Sequence, residues 1–266
     1  VNIGQCAGYS DFPGDSNVFI GSCAGWRGGC GGSNIAIGDG SGQNMKATTR
    51  SVFLGEQAGR WNQGTDNIAM GRCSLAGNSS AQDDNTGYFN VAIGYLAGKN
   101  VTTGSSNISL GREAGCAINT GFYNILFGDC AGKQITTGRH NVVMGKDAMS
   151  SGGGQGADCT IAIGFAAGCL ISFGSRNILL GTCAGKTTTS GANNIAIGYN
   201  VTLPSATGNC QLAIGNDTDR WIAGDSSFNV TLAGIATVYS ATGIVSATKF
   251  CGDGSCLTNL PSGGLE

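Results

Sequence analysis

The stretch Asn90-Val91-Ala92-Ile93-Gly94-Tyr95-Leu96-Ala97-Gly98 decides how this chain is read. Two bulky apolar residues flank a small one and run into glycine, and an Ala-Gly pair follows two residues later. The same figure returns with its anchor glycine at Gly4, Gly21, Gly38, Gly55, Gly71, Gly94, Gly111, Gly128, Gly145, Gly164, Gly181, Gly198 and Gly215. The successive spacings are 17, 17, 17, 16, 23, 17, 17, 17, 19, 17, 17 and 17. A fixed period of this kind is the signature of a repeat architecture, in which each unit stacks on the next.

A further glycine column lies seven residues before the anchor, as at Gly104, Gly121 and Gly138. Glycines on both sides of a short β-branched run mark turns or close backbone approach. Each repeat therefore reads as one coil of two short strands. In the first strand Val or Ile stands three before the anchor and Ile, Leu or Met one before it, and a period of two puts both on one face. The residue between them is apolar as well (Phe19, Ala36, Phe53, Ala92, Leu126, Leu179), so both faces of this strand are expected to be buried. Val101, Ile118, Ile135 and Ile171 mark the second strand, with solvent on one side. The fold class is all-β, a parallel β-solenoid or β-roll of thirteen repeats. At ~4.8 Å per coil these form a rod of roughly 60 Å. Residues 1–220 form the solenoid. Residues 221–266 read as a β-rich neck leading to a missing C-terminal part, and a start at Val1 without Met marks a piece of a longer chain.

The composition agrees with a fibre more than with a globule. Of 266 residues 48 are Gly, 3 are Pro and 11% are charged, against about 25% charged in ordinary domains. Low charge with 41% apolar residues opposes disorder. A net charge of −2 with scattered basic residues gives no stripe to neutralise phosphates, which excludes nucleic acid as a partner. No apolar run reaches the roughly 18 residues of a membrane span, so no membrane insertion is expected. Each coil has few large side chains and an apolar face left over, which predicts packing of several chains as a homotrimer, intertwined or side by side.

Here the residues carry a resemblance. Asn34-Ile35-Ala36-Ile37-Gly38 and Asn194-Ile195-Ala196-Ile197-Gly198 resemble the head repeats of trimeric autotransporter adhesins, which form trimeric left-handed parallel β-rolls. The Gly-x-Cys-Ala-Gly form (Gly21 to Gly25, Gly128 to Gly132, Gly181 to Gly185) and the ending Ala247 to Pro261 resemble repeats in tail-fibre and structural proteins of marine phages, notably cyanophages. Cys256 departs from the small residue usual in that ending. The resemblance implies a structural fibre segment of a virion appendage that spaces and supports host-receptor binding. Its partners would be further copies of itself, other fibre proteins, and a host surface glycan or protein. The alternatives are a bacterial trimeric surface adhesin head that binds host matrix or glycans at the cell surface, and an ice-binding solenoid built on Thr102-Thr103, Thr136-Thr137 and Thr187-Thr188-Thr189.

The candidate sites are columns rather than clusters. Asn17, Asn34, Asn67, Asn90, Asn107, Asn124, Asn141, Asn177 and Asn194 stand four before the anchor, and are read as a structural ladder of stacked amides. Cys6, Cys23, Cys73, Cys130 and Cys183 stand two after it, and are read as small buried hydrophobes. Cys251 and Cys256 are the best candidate disulfide. Two coils carry insertions whose residues Ser80, Gln82, Asp83, Asp84, Gly153 and Gln155 are candidate binding loops. His140 is the only histidine, no Cys-x-x-Cys pair exists and carboxylates are dispersed, so neither a catalytic site, a metal nor a cofactor is expected.

Overall fold

The computed structural model describes residues 1–9, 14–27, 29, 31–46, 48–77, 85–151, 156–217, 219–227 and 230–232. Contacts divide the chain into two compact units, Val1–Ala233 and Gly234–Glu266. All described strands lie in the first.

Fifteen strands form one sheet in strict chain order. They are β1 (Asn2–Ile3), β2 (Val18–Ile20), β3 (Ile35–Ile37), β4 (Val52–Leu54), β5 (Ile68–Met70), β6 (Val91–Ile93), β7 (Ile108–Leu110), β8 (Ile125–Phe127), β9 (Val142–Met144), β10 (Ile161–Ile163), β11 (Ile178–Leu180), β12 (Ile195–Tyr199), β13 (Leu212–Asn216), β14 (Asp219–Gly224) and β15 (Val230–Leu232). From β1 to β13 every pairing is parallel. Like positions face like, as where Ala92 pairs Ser109 and Leu126 pairs Val143. This is the β-solenoid read from the sequence. β14 then turns back antiparallel on β13, with a bulge between Ile214 and Gly215, and β15 follows antiparallel on β14.

Among the described residues each coil holds one strand rather than two. At the second leg the amides of Val101, Ile118, Ile135 and Ile171 bond back within their own turn, to the carbonyls of Gly98, Gly115, Gly132 and Gly168. That leaves bonds such as Thr102 N–H to Asn119 O to link the coils there, too few for a strand ladder.

Only one face of the first strand is buried within the chain, where burial of both was expected. The middle residue points into the coil: Ala36, Phe53, Leu126, Val143 and Leu179 are all fully buried. The bulky flanking residues point outward, with Ile37 39% and Phe127 52% exposed. The reason is room. A coil of 17 residues encloses a narrow interior, and three columns already fill it. These are the middle residue, the alanine three after the anchor (Ala97, Ala114, Ala131, Ala167) and the aliphatic residue seven after it (Val101, Ile118, Ile135, Ile171). Two more bulky columns do not fit inside.

Glycine has two distinct jobs. Gly111 sits at φ 132° and a Cβ there would lie 2.4 Å from the carbonyl oxygen of Gly128, so both conformation and space exclude a side chain. Gly104 needs no left-handed φ, but a Cβ would lie 2.5 Å from the Gly121 oxygen. Neighbouring coils pack backbone on backbone at these corners.

Candidate interaction surfaces

The Asn column forms a continuous ladder. Each Nδ2 donates to the carbonyl of the residue seven before the next anchor: Asn17 to Gly31, Asn34 to Thr48, Asn67 to Gly87, Asn90 to Gly104, Asn107 to Gly121, Asn124 to Gly138, Asn141 to Ala157, Asn177 to Gly191 and Asn194 to Gly208. Each Oδ1 accepts the backbone N–H at the same position of the next coil, as from Asn107 to Asn90 and from Asn141 to Asn124. Eight of the nine are fully buried, with Asn17 at the rim. Their polar atoms are spent on the backbone, which leaves no binding ladder.

The Cys column lies on the outer turn and not in the interior. Cys6, Cys23, Cys73, Cys130 and Cys183 all adopt left-handed φ between 53° and 56°. Cys6 is exposed, Cys130 is buried, and the other three are half-buried; all five are free thiols. The interior place at this turn is taken by the residue that follows, alanine in four coils and Ser74 after Cys73. Cys130 sits under an ion-pair network in which Arg112 pairs with Asp129 at 2.9 Å and with Glu113 at 3.1 Å, while Lys133 pairs with Glu113. Burial, helped by the Asp129 carboxylate, pushes the Cys130 thiol up from its ordinary pKa. The hydrogen bond from Lys133 holds Glu113 below the usual carboxylate range, and that from Arg112 does the same for Asp129. Cys251 and Cys256 lie outside the described residues, as do Ser80, Gln82, Asp83, Asp84, Gly153 and Gln155.

The outer face of the sheet is an apolar stripe. It carries Ile35, Ile37, Ile68, Met70, Ile93, Ile108, Ile125, Phe127, Ile161, Ile163 and Ile178, each between 36% and 52% exposed. No charged side chain stands in either column of the stripe from β2 to β11. The threonine legs are different in kind. Thr102 donates to Asn119 and Thr189 to the carbonyl of Ala206, so these hydroxyls tie coil to coil.

A last surface was not singled out by the sequence. Five and six residues before the anchor, consecutive coils carry Tyr88-Phe89, Ser105-Ser106, Phe122-Tyr123 and Arg139-His140. Tyr88 and Phe89 meet edge to face at 5.3 Å, and Phe122 and Tyr123 repeat the geometry at 5.3 Å. His140 stacks on Tyr123 at 5.1 Å with planes 20° apart, and the Arg139 guanidinium lies 5.1 Å from the Phe122 ring centroid. The signal was there in the register: aromatic pairs recur at one phase of the repeat, one coil apart from a serine pair.

Among the described residues no group of three His, Cys, Asp or Glu side chains is placed to hold a metal ion. No helix among the described residues is long and apolar enough to cross a membrane. Comparison with protein-family models, with curated proteins and with solved structures gives no match.

Proposed function

We propose that the chain is a non-enzymatic structural segment of a fibre, a phage tail fibre or related virion appendage, which works as a homotrimer and holds receptor-binding parts at a distance. The observation that carries this is the apolar stripe. Eleven large aliphatic, aromatic or thioether side chains stand in register on one face of the sheet. A contiguous exposed patch of that kind marks an association surface, and an identical patch on each copy suits closed symmetric packing. The Asn ladder suits the same role, since it makes each coil a rigid extension of the last.

Light scattering on the purified chain, with and without reductant, tests the assembly. A mass near three times 26.6 kDa in both conditions supports a trimer held by apolar packing. A monomer in both refutes it. Immunogold labelling tests the place: decoration of virion appendages supports the fibre, whereas decoration of a cell envelope points to the surface adhesin instead.

A further inference from the structure

The two columns that precede the Asn ladder contain a gap one ring thick. In the outer column Phe89, Ser106, Tyr123 and His140 follow one another coil by coil, and in the other Tyr88, Ser105, Phe122 and Arg139 do so. Backbone bonds keep the coils in step here: Ser106 N–H to Tyr88 O, Tyr123 N–H to Ser105 O, and His140 N–H to Phe122 O. The coil spacing of ~4.8 Å therefore holds along this corner too. His140 occupies one face of the Tyr123 ring from the next coil. The opposite face looks back toward Ser106, where two serines replace an aromatic pair and leave a cleft of about 280 Å³. Tyr88 closes its far side, Phe122 and Tyr123 its near side, and Thr103, Ser105 and Ser106 its floor.

We propose that this slot binds a single neutral pyranose ring, stacked on the open face of Tyr123 and closed over by Tyr88. The walls and the floor ask for a ligand with flat C–H faces and a hydroxylated edge. Two coil steps, ~9.6 Å, separate the coil of Tyr88 from that of Tyr123, which is room for one ring between them, while Phe122, at 82° to Tyr123, stands as a side wall. At the floor Ser105 Oγ is committed, since it accepts from Tyr88 N–H and donates to Thr103 O. Ser106 Oγ and Thr103 Oγ1 make no hydrogen bond among the described residues, so these two hydroxyls are left to meet a ligand. The cleft is near the lower end of the size range of small-molecule sites and suits one ring rather than a long chain. No charged residue lines it. The nearest cation in these columns, Arg139, lies over Phe122 and pairs with Asp158 at 3.4 Å, one coil beyond the slot. An acidic sugar or a phosphate thus finds no counter-charge, and an aliphatic tail would leave the Ser106 hydroxyl unmet.

The slot stands apart from the fibre reading. It is complete within one chain, and native mass plays no part in its test. The experiment is saturation-transfer NMR on the full 266-residue chain with methyl glucopyranoside, galactopyranoside and mannopyranoside, beside N-acetylneuraminic acid and benzyl alcohol. Transfer to the ring C–H protons of at least one neutral pyranoside is expected, with amide shift changes at Ser106 and Tyr123. Ser106→Tyr continues the aromatic column into the gap and should abolish the transfer. Tyr123→Ser removes the stacking face and should weaken binding about ten-fold. Serine and tyrosine already stand at this position of other coils, with φ of 57° in both Ser106 and Tyr123, so both variants keep the fold. The proposal is overturned by absence of transfer to every neutral pyranoside, by transfer unchanged in both variants, or by stronger binding of benzyl alcohol or the acidic sugar at these amides.

Discussion

The backbone N–H and the side-chain Nδ2 of Asn124 both donate to Oδ1 of Asn107, at 3.1 and 3.0 Å. One amide oxygen therefore fixes both the height and the rotamer of the residue one coil on. Asn124 passes the relation to Asn141 and also holds the Gly138 carbonyl at 2.8 Å. Asn124→Ala leaves the Asn141 backbone N–H and the Gly138 carbonyl buried without their partner, at a cost of roughly 1–3 kcal/mol each. Coils contact only their neighbours, so the loss should appear first as local opening. Hydrogen exchange should speed up around β7 to β9 more than elsewhere, with a lower melting temperature. Unchanged exchange there would mean the ladder does not hold the coils.

One interior position works against the fold. Thr188 is fully buried in the column that elsewhere holds Ile118, Ile135 and Ile171, and its Oγ1 has no hydrogen-bond partner. Thr188→Val keeps the shape and removes the unmet hydroxyl. It should stabilise by about 1 kcal/mol, which raises Tm by ~2–4 °C in a domain of this size. A lower Tm by calorimetry would show that the hydroxyl is paired in solution.

The solenoid was legible because its cause is periodic. Anchors such as Gly94 and Gly111 recur in fixed register, and parallel pairing follows from the register alone. Which strand face turns inward was not legible, because Ile93 and Ala92 are both apolar and hydrophobicity gives no direction. Interior width decides it, and that depends on how the three legs of the coil meet. The second strand failed for a local reason: the amide of Ile118 is used by its own turn, which composition cannot reveal. Left-handed turns were legible at Gly98 but not at Cys130 or Tyr123, where an ordinary residue is held in that conformation by the ladder around it. The aromatic slot was not legible because its column is not uniform: Phe89, Ser106, Tyr123 and His140 share one phase of the repeat but no residue type.

Thiol reactivity should follow exposure along the chain. Cys6 and Cys159 are exposed, whereas Cys130 is buried and its pKa is raised by that burial. The thiolate is the reacting form, so at neutral pH iodoacetamide should label Cys6 and Cys159 well before Cys130. Raising the pH should quicken Cys130 only above the ordinary thiol pKa. Peptide mass spectrometry gives the order, and early labelling of Cys130 would contradict its burial.

Acid should loosen the turn network around Arg112. Glu113 and Asp129 are held below the ordinary carboxylate range, chiefly by hydrogen bonds from Lys133 and Arg112 respectively. The folded chain therefore binds fewer protons than the unfolded one, and stability rises with pH through this range. The contribution is complete above the ordinary carboxylate pKa near ~4 and is lost as pH falls through the lowered values. Arg112 and Lys133 are partly open to solvent, which screens these pairs and keeps their contribution small. The double variant Glu113→Gln with Asp129→Asn should show a smaller fall in Tm between neutral and acid pH than the parent chain. An equal fall in both would place the acid sensitivity elsewhere.

Neighbouring residues on β8 separate folding from assembly. Leu126 is fully buried inside the coil, while Ile125 and Phe127 are 42% and 52% exposed on the apolar stripe. Leu126→Asp puts an unpaired carboxylate into a dry interior and should prevent folding of the coils around it. Phe127→Asp leaves the coil interior untouched and should keep the β circular-dichroism signal. If the stripe is where copies meet, the same variant buries that charge between chains and should shift the native mass toward one chain. Sedimentation of both variants beside the parent chain reads the two effects apart. Should Phe127→Asp sediment as the parent does while the parent is trimeric, the trimer contact lies on another face.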